Sequence, residues 1–113
     1  MLSRRAASEP GRLRLRLVLE KAARNPDGAG GATLAWSAVA TVAADVTPVG
    51  AEERAAGEGS AAVLRHRIVI RHRADVEPGD RFRLGARIFS IISATDPHED
   101  RRYLVVAAEE EEA

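Results

Sequence analysis

The 113-residue chain carries 17 basic and 17 acidic side chains, so its formal net charge is zero and no global field draws it to nucleic acid or a membrane surface. Cysteine is absent, which excludes disulfides, thiolate catalysis and cysteine-based zinc or iron-sulfur sites. The length suits one domain with a modest core, and no apolar run reaches signal-peptide or membrane-spanning length, so the expectation is a soluble protein made in the cytoplasm with no membrane partner.

Residues 1–11 lack periodicity and end in Pro10-Gly11, and with Arg4 and Arg5 they read as a flexible basic arm. From Arg12 to Glu20 the pattern becomes strict, with Leu13, Leu15, Leu17 and Leu19 on one side and Arg12, Arg14, Arg16 and Glu20 on the other. That period of two is a half-buried β-strand, since a helix would scatter the leucines around its circumference. Asn25-Pro26-Asp27-Gly28-Ala29-Gly30-Gly31 is a cluster of turn formers and predicts an exposed hairpin loop. Trp36, Ala38, Ala40, Val42, Ala44 and Val46 then alternate with more polar neighbours as a second strand.

Pro48 and Gly50 are read as ending that strand, which leaves a long polar loop over residues 49–62 with room for a helical turn around Ala51 to Ala56. Loops of that length inside a compact domain usually carry function. Val63 to Arg73 resumes alternation, with Leu64, His66, Ile68, Ile70 and His72 on one face and Arg65, Arg67, Val69, Arg71 and Arg73 on the other. Short strands follow over Arg81 to Leu84, Arg87 to Ala94 and Arg102 to Ala108, separated by turn residues. Glu109 to Glu112 is an unbroken acidic run, and 109–113 reads as a solvated tail. The whole is an all-β fold: one small antiparallel barrel or sandwich of about six strands over residues 12–108.

Chemistry is scarce. His66 and His72 share a strand face but stand roughly 20 Å apart by strand rise, and His98 lies in a turn where neighbouring carboxylates diverge, so no metal site is expected. No serine has a nucleophile-elbow context, and the glycine run at 28–31 is not followed by a phosphate-binding helix. The reading is a non-enzyme with no cofactor. Arg65, Arg67, Arg71 and Arg73 on one strand face are candidates for an acidic partner surface or for phosphate, with a solvated, edge-protecting face as the plain alternative.

The succession of pieces resembles the head-tail joining, or head-closure (stopper), proteins of long-tailed bacteriophages and gene transfer agents. It comprises Gly11-Arg12-Leu13-Arg14, Leu19-Glu20, the Gly-rich loop, and Trp36 leading into Val39 to Val46 with Pro48 and Gly50. It continues through His66 to Arg73, Pro78-Gly79-Asp80-Arg81 and Gly85-Ala86-Arg87-Ile88-Phe89 to a final strand. The resemblance implies a ring, hexameric or dodecameric, that contacts the portal or adaptor protein on the head side and the tail terminator on the tail side. It further implies nonspecific proximity to packaged double-stranded DNA and a location at the head-tail interface of the particle. It makes the segment with Val49, Glu52, Glu53, Arg54 and Glu58 the candidate channel or gate loop. The competing reading is a monomeric nucleic-acid-binding barrel of OB or Sm-like kind using the arginine face.

Overall fold

A computed structural model describes residues 13–57 and 59–111. Among them are six antiparallel strands: β1 (Leu15–Pro26), β2 (Ala32–Ala56), β3 (Gly59–Arg71), β4 (Arg81–Leu84), β5 (Arg87–Thr95) and β6 (Tyr103–Glu111). They close into a barrel in the order β1-β2-β3-β6-β5-β4. The expected all-β fold is what forms, and no helix occurs among the described residues. The basic arm at 1–11, Arg12, Glu58 and the last two residues of the acidic tail lie outside the described residues.

The period-two pattern sets the interior. Leu17 and Leu19 from β1, Val42 and Ala44 from β2, Ile68 and Ile70 from β3, and Leu104, Val106 and Ala108 from β6 all point inward and are buried. Phe82 and Phe89 stand directly opposite one another on β4 and β5 and are completely buried, so the two largest core side chains form one cross-strand pair. Ala44 on β2 and Ala108 on β6 belong to the same buried cluster.

Three sequence expectations are corrected. β1 extends past Glu20 to Pro26, because Lys21 to Pro26 pair with Ala32 to Ser37 as a two-stranded ribbon. Its loop is the predicted one shortened to 27–31, since Asn25 and Pro26 have joined β1: the Asp27 carboxylate accepts hydrogen bonds from the Ala29 and Gly31 amides at 2.8 and 3.1 Å. Residues 49–62 form no polar loop and no helical turn; β2 continues to Ala56 and pairs with β3 back to Gly59. Pro48 is tolerated because β1 pairs with β2 only as far as Ala44, so beyond that point β2 has β3 on one side alone. Finally, Glu109 to Glu111 belong to β6 and not to a tail: alternation continues, so Glu110 faces in and is buried while Glu109 and Glu111 face out.

Closure is narrow. β1 meets β4 through three residue pairs, Val18↔Arg83, Leu19↔Phe82 and Glu20↔Arg81. Side chains reinforce it, since the buried Glu20 carboxylate accepts hydrogen bonds from Arg81 Nε at 2.7 Å and Arg83 Nε at 2.9 Å. Lys21 donates to buried Asp80 at 2.7 Å on the same flank. The Arg83 and Arg81 hydrogen bonds hold the Glu20 carboxyl below its ordinary pKa against the opposing effect of burial.

Candidate functional site

The segment read as a gate loop is a β-hairpin. Glu53 to Ala56 pair with Gly59 to Ala62, and among the described residues β6 runs to Glu111 opposite Val63, so there the hairpin end has two strands. Gly57 turns the chain at φ 60°, a left-handed conformation that suits glycine. Of the predicted gate residues, Glu52, Glu53 and Arg54 lie along the hairpin, Val49 lies at its base, and Glu58 is not described.

At the hairpin base the structure brings predicted residues from both groups together with one the sequence reading had placed in the tail. Arg54 donates to both oxygens of Glu109 at 3.0 and 3.1 Å and to Glu52 at 2.8 Å. Arg65 donates to the other Glu52 oxygen at 2.5 Å and stands 3.9 Å from Glu109. Two guanidinium groups and two carboxylates thus cancel on the outer wall where β2, β3 and β6 run side by side. The Arg54 hydrogen bond lowers the pKa of both Glu52 and Glu109. Such exposed pairs contribute little to stability one by one, and here they join the hairpin base to β6 as a network.

The arginine face divides in two. Arg65 is neutralised in the network just described, and Arg73, beyond the end of β3, makes a two-pronged contact with Asp75, both distances 2.9 Å. Arg67 and Arg71 are exposed, and neither has an ion-pair partner among the described residues. The face that looked like four equivalent cations therefore presents two.

Sequence reasoning missed a buried polar cluster inside the wall. His66, read as one of a pair of histidines on the inner face, places Nε2 2.8 Å from the buried Glu110 carboxylate and its ring edge-on to Phe89, centroids 5.1 Å apart. Arg87 closes over the same carboxylate. The only signal was a polar residue in register with Ile68 and Ile70; its partner is 44 positions away in the acidic run. Because Glu110 is an anion held below its ordinary pKa by Arg87 and then by His66, Nε2 carries the proton that is donated to it. Among the described residues no three His, Cys, Asp or Glu side chains gather as metal ligands.

Comparison with known proteins agrees with the sequence resemblance. The family model described as phage head completion protein matches residues 9–111. Among solved structures, a chain from the virion of a native gene transfer agent particle is similar at 39% identity and TM-score 0.76, over 86% of this chain and 93% of that one. Protein SF1141 from Shigella flexneri 2a is similar at 25% identity and TM-score 0.65, over 90% of this chain and 96% of that one. No curated protein matches.

Proposed function

This chain belongs to the phage head completion protein family, and from that premise we propose that it is a stopper subunit: a ring component that joins the capsid portal or adaptor to the tail terminator and retains packaged DNA. The family supports a structural head-closure role, and the likeness to a gene transfer agent virion chain supports incorporation into such a particle. The observation that carries the finer reading is the β2-β3 hairpin, whose two-stranded end stands clear of the closed barrel and is anchored at its base by Arg54, Arg65, Glu52 and Glu109. In a ring, one such hairpin per subunit converges on a shared axis and narrows the channel. Ala51, Ala55 and Gly57 give it a slim profile, so the narrowing rests on the backbone ribbon and on Glu52, Glu53 and Arg54 and not on bulky side chains.

Zero net charge suits a DNA passage, because a strongly cationic lining would hold the polyanion by counterion release instead of letting it pass. The test is to delete the gene and image particles by electron microscopy. DNA-filled or leaking heads separate from complete tails are expected; intact tailed particles would overturn the proposal.

A further inference from the structure

Among the described residues the barrel has three register irregularities, and all three leave out the same kind of side chain. Between β1 and β2 the pairing steps from Leu19↔Ala40 to Glu20↔Ala38 and skips Val39. Between β2 and β3 it steps from Pro48↔His66 to Gly50↔Arg65 and skips Val49. Between β5 and β6 it steps from Ile91↔Ala108 to Ser93↔Ala107 and skips Ile92. A bulge leaves its extra residue unpaired and re-aims it, and a polar residue would serve there at no cost in burial. Here the three are β-branched aliphatics exposed to 43%, 59% and 52%. Single exposed aliphatics are ordinary, but three bulges out of three is a pattern.

Their placement divides them. Pro48, His66, Ala108 and Ile91 lie on one rung, so the Val49 and Ile92 bulges fall at the same level with β3 and β6 between them. A shallow, mainly apolar cleft occupies that wall, lined by Val49, Arg67, Ser93, Val105 and Ala107 among others. Val39 lies ten positions before Val49 on β2, where β1 is the only neighbour, at the foot of the ribbon that carries exposed Leu34. One apolar patch is concave and the other protrudes. A contact that closes into a ring is heterologous and needs two different complementary patches on each copy.

The charges match as well. Arg67 on the cleft rim has no ion-pair partner among the described residues. At the ribbon base Glu77 is 70% exposed and meets Lys21 only at 3.5 Å. Each patch therefore brings an underused charge of opposite sign, the kind of complementarity that fixes register between copies.

We propose that the occupant of the cleft beside Val49 is a second copy of this chain, which inserts the Val39 and Leu34 edge of its β1-β2 ribbon so that successive copies build the ring. This rests on the ring reading above and adds the faces that meet. The absence of cysteine makes the test clean. Particles are assembled with the full chain carrying Val39→Cys, Val49→Cys or both, then oxidised and run on a non-reducing denaturing gel. The double variant is expected to give a ladder of linked multimers, with each single variant remaining monomeric. Dimers from Val49→Cys alone would mean like faces meet, which overturns the proposal. No ladder from particles whose rings remain visible by electron microscopy would overturn the faces while leaving the ring intact, whereas particles with no ring at that position would overturn the reading beneath it. As a second measurement, Val49→Asp is expected to leave the melting temperature of the isolated chain unchanged while abolishing incorporation into particles; normal incorporation would sink the proposal.

Discussion

Glu110 and Arg87 meet through two parallel hydrogen bonds, Nε to Oε2 at 2.8 Å and Nη2 to Oε1 at 2.9 Å, so that a carboxylate buried in the barrel wall is closed off by a guanidinium from the neighbouring strand. Such fork geometry is the strong form of a charge-assisted bond, and removing one partner leaves a buried charge with only His66 beside it. Arg87→Ala is expected to destabilise the chain by about 1–3 kcal/mol, and Glu110→Gln by less, because the amide stays hydrogen-bonded. Urea denaturation of both variants measures the order, and a reversed order would show that the pair is not held as described.

The same carboxylate sets a pH dependence. Glu110 is held below its ordinary 4.5 by Arg87, and Glu20 by Arg83 and Arg81. A carboxyl with a lowered folded-state pKa contributes stability that is fully present above its unfolded value and is lost as pH falls through the folded one. Thermal melts should therefore be flat with respect to these two groups from neutrality down to about pH 5 and fall progressively below roughly 4.5. Glu110→Gln should show a shallower fall, and an equal slope would remove Glu110 from the account.

Phe82 and Phe89 are a fully buried cross-strand pair. Phe89→Ala opens a cavity between β4, β5 and the inner faces of β1 and β6, with an expected cost of about 3–5 kcal/mol, whereas Phe89→Leu keeps most of the volume and costs about 1–2 kcal/mol. Since β4 closes the barrel through three pairs that include Leu19↔Phe82, the alanine variant should also speed hydrogen exchange along β4 before it does so on β3.

Gly79 takes φ 96° in the turn before β4, and its amide donates to the Ile91 carbonyl at 3.1 Å. A Cβ there would meet nothing within 4 Å, so Gly79→Ala tests backbone conformation alone. The expected loss is about 1–2 kcal/mol in chemical denaturation, and a neutral result would mean the turn can re-form with negative φ.

Arg67→Glu combined with Arg71→Glu separates the head-closure reading from a free nucleic-acid-binding barrel. A stopper subunit should bind short DNA duplexes weakly at moderate salt, with little change in the double variant. Tight binding that weakens steeply with salt and vanishes in the variant would favour the second reading.

Much of the barrel is legible in the sequence because strand burial has a period of two. Leu17 and Leu19, Ile68 and Ile70, and Phe82 and Phe89 announce inward faces by spacing alone, and Asp27-Gly28 with Gly30 announces the first hairpin. Where the chain was misread, local chemistry pointed one way and pairing another. Pro48 and Gly50 break strands in general, yet on a one-sided stretch of β2 beside a bulge they do not, and four consecutive glutamates suggest solvent until β3 and β5 claim Glu109 and Glu110. Which arginines are neutralised, and that His66 and Glu110 share a proton bond, depend on partners far apart in the chain. So do the bulges that turn Val39, Val49 and Ile92 outward. A bulge is a mismatch between two strand registers, and no single strand contains the register of its partner.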